Sequence, residues 1–327
     1  MGIKIANAVI AIIGGIGGAM ILFWILNKLA ESLKGKWEDR VKPWMFAGPA
    51  ILAITVYLIY PAVVTIQYSF ANEDTTAYVG LRNYKDLLTD STFLSVLFNN
   101  LLWIIIVPAC TVALGLGVAV LADRLKPTGE KVSKTVIFMP MAISMVGAYT
   151  IWRTIYDFDP AGSPQTGLLN AIRGLFGAGP IPWVQTSTLH LNSLLLMVIM
   201  IWTQVGYAMV LLSAAIKSVP DDTVEAGRID GAGERRIFFS IIVPQIWATV
   251  ITVFITVLIG VMKVFDLVYV SVNGGFNTDV VGRRFYAELF SFGNNGYAAT
   301  IVVLLMLAVI PILVYQVRHF RAEEATR

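Results

Sequence analysis

Three charged side chains fall inside long apolar runs: Arg153, Lys263 and Asp266. An ionisable group at lipid depth is costly to insert, so it marks a functional site by default. Lys263 and Asp266 stand three residues apart, which on a continuous helix gives them one face and lets them pair. Two roles fit that pair: a ligand- or ion-coupling site, and a satisfied bridge holding two helices together. A second group is neutral, Trp202-Thr203-Gln204-Val205-Gly206-Tyr207. Thr203 and Gln204 need hydrogen-bond partners in a dry interior, and Gly206 lets another group approach the backbone. Neutral donors and acceptors beside aromatic faces suit a sugar, with its many hydroxyls and apolar C–H faces. Helix–helix packing glued by Gln204 accounts for the same residues, so both readings stand.

A third feature is polar and lies between two apolar runs: Lys217 to Pro244, KSVPDDTVEAGRIDGAGERRIFFSIIVP. Pro220 suits a first helical turn, where its missing N–H has no partner. Asp221 and Asp222 follow, where the helix dipole favours negative charge. Asp230-Gly231 and Gly233 then turn the chain. Glu234 to Ile242 restarts a helix with Ile237, Phe238 and Ile241 on one side and Arg235 and Arg236 beside them. A connection that merely returned the chain would not need two helices and a glycine corner. This one is shaped to dock.

Other chemistries are poorly supplied. The single cysteine, Cys110, lies in an apolar run, and the two histidines, His190 and His319, are far apart. Neither a disulfide nor a zinc site follows, and no catalytic or metal-ligating residue is assigned. There is no G-x-x-x-x-G-K-S/T phosphate loop, no H-E-x-x-H and no nucleophile elbow. No basic cluster alternates with aromatics, which sets nucleic acid aside as a partner. A chain of this kind that moves solutes with ATP needs its ATPase from another subunit.

The elements that position these groups are membrane helices. Of 327 residues, 57% are hydrophobic and only 14% charged, and the mean hydropathy is +0.74. A soluble chain carries roughly a quarter charged residues. Seven runs near residues 5–27, 45–68, 99–122, 135–156, 193–216, 246–268 and 297–317 have about the 20-residue length a bilayer demands. The fold class is therefore all-α, a polytopic membrane bundle of seven transmembrane helices. The first run has Lys4 as its only preceding positive side chain and lacks a small-residue cleavage site. It reads as a retained helix rather than a signal peptide. Its Gly14, Gly15, Gly17 and Gly18 suit either close packing on another helix or a flexible lipid-facing face.

With the amino terminus outside, the inner segments hold sixteen Lys and Arg and the outer ones six. The inner set includes Lys28, Lys34, Lys126, Lys134, Lys217, Arg228, Arg235, Arg318 and Arg327. The positive-inside rule thus sets the amino terminus outside and both the 217–244 stretch and the carboxyl terminus in the cytoplasm. Among outer segments, 157–192 places Leu168, Leu169, Ile172, Leu175 and Phe176 at the spacing of a small surface helix. Asn273-Gly274-Gly275 is a turn signal. Prolines 49, 61, 108, 140 and 311 fall within or beside spans, which favours a packed bundle around a cavity.

Several of these segments, in order, resemble a known family. Glu225-Ala226-Gly227, Asp230-Gly231-Ala232 and Ile242-Val243-Pro244 look like the EAA loop of binding-protein-dependent ABC importers. Pro49 through Tyr60-Pro61 to Ser69-Phe70 is similar to the first core helix of the carbohydrate-type permeases. Val79-Gly80-Leu81-Arg82-Asn83-Tyr84 with Asp90 and Phe93 resembles their outer-loop signature. Phe138-Met139-Pro140 with Trp152-Arg153 resembles the third core helix, and Asn273-Gly274-Gly275 the turn after the fifth. The whole is most similar to a maltose-type permease subunit, of the α-glucoside branch. Two departures stand out. Gly227 replaces alanine, which weakens helix propensity by roughly 1 kcal/mol, and Phe276 stands where the family usually has proline.

The resemblance implies one half of a translocation path that works by alternating access in a bacterial cytoplasmic (inner) membrane. Its expected cargo is an oligosaccharide or α-glucoside. Its implied partners are a second permease, two cytoplasmic ATPase subunits and an extracytoplasmic sugar-binding protein. The chain itself holds no cofactor; ATP and Mg belong to the ATPases. The residues implied to couple to them are Glu225, Ala226, Gly227, Asp230, Gly231, Ala232 and Pro244. Sugar contacts are implied on the fifth and sixth spans, where Thr203, Gln204, Gly206, Tyr207, Lys263 and Asp266 lie. The expected organisation is an extra helix and basic linker over 1–43, then the importer domain over 44–327. A reading from another class is a stand-alone secondary transporter or channel, with Lys263 and Asp266 as its ion-coupling pair.

Overall fold

The computed structural model describes residues 2–32, 36–160 and 162–324. Lys34 and Arg327, counted above among the inner basic residues, lie outside them. The chain divides into two units, Met1–Gln67 and Tyr68–Arg327. The first holds α1 (Gly2–Glu31) and α2 (Lys36–Ile54), which runs through a π-turn at Thr55–Ile59 into α3 (Tyr60–Tyr68). That turn directly precedes Pro61, the kind of local adjustment a missing N–H calls for. Within this unit, Phe23 of α1 stacks on Phe46 of α2, ring centroids 6.2 Å apart.

The second unit carries α4 (Arg82–Thr89), α5 (Ser91–Asp123), α6 (Pro127–Phe138), α7 (Met145–Tyr156), α8 (Leu168–Leu175) and α9 (Leu191–Lys217). There follow α10 (Asp221–Ile229), α11 (Glu234–Ile237), α12 (Val243–Gln245), α13 (Trp247–Met262), α14 (Asp266–Ser271), α15 (Val281–Tyr286) and α16 (Asn295–Glu324). Among the described residues the one extended pairing outside helices is an isolated bridge between Ala71 and Tyr78. Lipid tails are as apolar as leucine, so close packing rather than escape from water must hold such helices together. Trp103 and Val107 of α5 and Leu196, Met197 and Ile199 of α9 supply it as one fully buried cluster. α9, at roughly 1.5 Å per residue, runs the depth of a bilayer and separates two ends of the unit. One end carries the 217–244 stretch; the other is called here the far end.

Five described helices are long and apolar enough to cross a membrane, or up to seven if each of two bent pairs is one span. The fourth expected span, 135–156, crosses the bend of one pair, and the sixth, 246–268, begins with the second helix of the other. Pro127–Ala142 and Met145–Tyr156 meet at 106°. A 3₁₀ turn at Met139–Ala142 contains Pro140, and Ser144 then caps α7 by accepting from Gly147 N–H at 3.2 Å. The second pair, Glu234–Gln245 and Trp247–Met262, bends by 71°.

Buried asparagines fasten the far end. Asn83 donates to the carbonyls of Ser69 (3.1 Å) and Ala71 (2.7 Å). Asn99 donates to those of Asn277 (2.8 Å) and Asp279 (3.0 Å), while Asn100 accepts from Val281 N–H at 2.7 Å. Asp90 caps α5, accepting from Thr92 and Phe93 N–H, and Phe93 is fully buried. The outer-loop signature is thus a bracket that ties irregular backbone to the bundle, where water would otherwise have to satisfy it.

Candidate functional site

The expected pair of helices with a corner between them is present at 217–244. Pro220 sits at the cap position of α10 with φ −60° and ψ 132°, one residue ahead of the first helical turn. Asp221 and Asp222 occupy that turn. The corner is a Schellman motif, with Gly231 in the left-handed region at φ +77°. Ala232 N–H donates to the Gly227 carbonyl and Gly231 N–H to that of Arg228, both at 3.0 Å. These bonds satisfy carbonyls that the helix end would leave bare. Arg228 Nε bridges the corner to Glu234 Oε1 at 2.9 Å. At the tip Ile229 is 85% exposed, and Glu225, Ala226 and Asp230 are exposed beside it.

Gly227 has a packing role that propensity alone does not show. It is buried, and a Cβ there would lie 2.6 Å from Ile241 Cδ1. The two helices of the corner close on each other where the side chain is missing. Glu234–Ile237 is α-helical and Phe238–Ile242 a π-turn leading to Pro244 in α12, so the expected restart is present with a local widening.

The neutral group on α9 is also used by the protein itself. Thr203 is buried, its hydroxyl donating to the Met200 carbonyl at 2.8 Å. A Cβ on Gly206 would fall 2.4 Å from the Ile137 carbonyl oxygen and 2.6 Å from Phe138 Cα. The close approach inferred at Gly206 is therefore made by the end of α6. Gln204 and Tyr207 are half-buried, with Tyr207 packed against the α5–α9 core. Trp202 meets Trp152 edge-on at 5.8 Å.

Lys263 and Asp266 do not share a helix face, and the structure corrects that expectation. α13 ends at Met262, Lys263 takes the cap (φ −102°, ψ 13°), and Phe265 is non-helical (φ −144°, ψ −60°) before α14 starts at Asp266. A Cβ on Gly282 would lie 2.7 Å from the Val264 carbonyl oxygen, so the start of α15 packs against this break. Both charges are exposed, and no ion pair joins them among the described residues. Beside Asp266 stand the clustered rings of Phe265, Tyr269, Tyr286 and Phe290, successive centroids 4.8–5.2 Å apart. The ion-coupling pair of the secondary-transporter reading is not formed.

Phe276 explains its own departure from proline. Its φ is +53°, a value the proline ring forbids, and its carbonyl accepts from Asn192 Nδ2 at 2.7 Å.

Two groups escaped the sequence reading. At the end near the corner, Lys134 Nζ contacts Asp123 and Glu130 at 2.6 Å each and also Ser213, and Lys217 contacts Glu130. This network ties α5, α6 and α9 immediately before the corner begins. At the far end, Tyr149, Arg153, Tyr156, Trp183, Gln185 and Ser271 line a cavity of about 340 Å³. Arg153 was visible as an isolated charge, but nothing local linked it to Trp183. Among the described residues no three His, Cys, Asp or Glu side chains gather as a metal site.

Comparison with known proteins follows the same architecture. The family description "binding-protein-dependent transport system inner membrane component" matches residues 111–321. The chain is 40% identical to the alpha-glucoside transport system permease protein AglF of Rhizobium meliloti, covering 98% of each. It is 42% identical to the osmoprotective compounds uptake permease protein GgtC of Synechocystis, covering 86% of this chain and all of that one. In fold it resembles a chain in the crystal structure of a bacterial ABC transporter that imports alginate, with a TM-score of 0.70 over 87% of this chain and 98% of that one at 18% identity. By the extent of these matches, the chain belongs to the family of binding-protein-dependent transport system inner membrane components.

Proposed function

We propose that the chain is a membrane-spanning subunit of an ATP-driven sugar importer and that its 217–244 corner docks on a cytoplasmic ATPase. The observation that carries this reading is the corner itself, braced by the Schellman bonds and the Arg228–Glu234 bridge, with Ile229 bare at its tip. The excess of basic residues in the same segments supports a cytoplasmic corner, an outer amino terminus and an inner carboxyl terminus. The chain contributes no ATP chemistry; two ATPase subunits bind ATP and Mg, and a second permease supplies the other half of the path. An extracytoplasmic binding protein delivers the sugar. Similarity to the alpha-glucoside permease AglF supports an α-glucoside or other oligosaccharide as cargo. The importer domain runs over 44–327, with 1–43 as an additional helix and linker, in a bacterial cytoplasmic membrane.

ATP-driven uptake by the reconstituted transporter tests this. Glu225→Lys and Gly231→Asp are expected to cut uptake by at least about tenfold, the loss of roughly 1.4 kcal/mol of coupling, while the protein still inserts. Unchanged uptake in both removes the docking role. Sugar uptake by the chain alone, without ATP or ATPase, overturns the importer reading altogether.

A further inference from the structure

The far-end cavity is assigned no role by the family match or by the coupling corner. Its chemistry is specific. Tyr149, Tyr156 and Trp183 present aromatic surface, and Arg153, Asp157, Gln185 and Ser271 present polar groups at the same 340 Å³ space. That volume lies in the range of small-ligand pockets, roughly 300–1,000 Å³. Among the described residues, the side chains of Arg153, Gln185 and Tyr149 have no hydrogen-bond or ion-pair partner. Trp183 Nε1 is buried and unpartnered as well. An unsatisfied indole N–H in a buried position costs free energy. The Trp183 ring is held in place by Arg173, whose guanidinium lies 5.8 Å from its centroid.

The lining carries one cation, Arg153, and one anion, Asp157. It therefore has no net preference for an anionic headgroup and matches a neutral polyhydroxyl ligand, whose hydroxyls both donate and accept. The cavity also connects to α9. Tyr156, on its wall, lies 5.4 Å from Trp152, which in turn meets Trp202 at 5.8 Å. Trp202 adjoins Thr203, so a line of rings runs from the cavity toward the α9 group. We propose that this cavity is an outer glycosyl subsite, which receives one sugar ring of a neutral saccharide before it reaches the α9 region. The inference rests on the sugar-importer reading above.

The test uses the complete reconstituted transporter with maltose, maltotriose, sucrose and trehalose as probes. Direct saccharide binding is read by tryptophan fluorescence without the binding protein, and uptake kinetics are read with it. Trp183→Phe preserves the ring and removes the N–H; Gln185→Ala and Arg153→Gln remove the polar partners. The expected result is a rise of about fivefold or more in the KM of uptake and weaker direct binding, larger for maltotriose than for maltose. Gln204→Ala, by contrast, should impair uptake while direct binding at the cavity persists. Wild-type binding and KM in all three cavity variants would overturn the subsite. So would variants that weaken capture of the binding protein but leave direct saccharide binding intact, which would make the cavity a protein dock. Wild-type uptake with unaffected variants sinks only the subsite. A wild-type transporter that neither binds nor imports any of the four sugars sinks the sugar reading with it.

Discussion

At the residue scale, three glycines do three different jobs. Gly231 supplies a left-handed conformation at φ +77° that costs an ordinary L-residue roughly 1–2 kcal/mol. Gly231→Asp should therefore splay the corner before it touches any partner. Gly206 admits the backbone of Ile137–Phe138; Gly206→Ala is expected to destabilise the bundle by about 1–3 kcal/mol, the range for overpacking, read as a lowered Tm in detergent. Gly227 opposes Ile241 Cδ1. Alanine there gains about 1 kcal/mol of helix propensity but meets that methyl. Gly227→Ala with Ile241→Val should thus be more stable than Gly227→Ala alone, and strict additivity in a double-mutant cycle would deny the contact. Of these, Gly231 was legible in the sequence because Asp230-Gly231 is itself a helix-stop signal, and Gly206 was legible as a place of close approach but not what approaches it. The neighbours of Gly206 and Gly227 are 69 and 14 positions away in the chain, and no local pattern announces them.

At the element scale, apolar runs located the spans but not their breaks. Hydropathy continues through Lys263–Phe265 because Val264 and Phe265 are apolar, yet the helix stops there. The break meets a distant element: Gly282 lets the start of α15 approach the Val264 carbonyl. Lys263 and Asp266 were read as a pair for that reason alone. The bend between α6 and α7 was half legible, since Pro140 promised a kink and Ser144 could have been recognised as a cap, but nothing local announced its 106°. The Asp123–Glu130–Lys134–Lys217 network was missed because its members come from three helices. Side chains of Asp123, Glu130 and Lys134 are all under 20% exposed. Lys134→Met should leave Asp123 and Glu130 to Lys217 and Ser213 alone, with a drop in thermal stability. No change in Tm would show the network to be ornamental.

At the scale of the molecule, the polar corner and the far-end cavity lie at opposite ends of one unit, with α9 running between them. α9 passes the ion network, carries the Thr203–Tyr207 group and ends at Lys217, where the corner begins. A movement imposed on the corner thus has a stiff element through which to reach the middle of the bundle. α1 belongs to the other unit, and deletion of residues 1–30 is expected to leave ATPase binding intact in a correctly inserted protein, measured by copurification. The corner is proposed as a docking surface, and its tip can be tested directly. Cys110 is the sole native cysteine, so a Cys110→Ser background with Ile229→Cys places one reactive thiol at the tip. Its labelling by a soluble maleimide should be fast in membranes stripped of the ATPase and at least about tenfold slower in the assembled transporter, as expected for a side chain at the centre of an interface. Equal labelling rates with and without the ATPase would contradict the account.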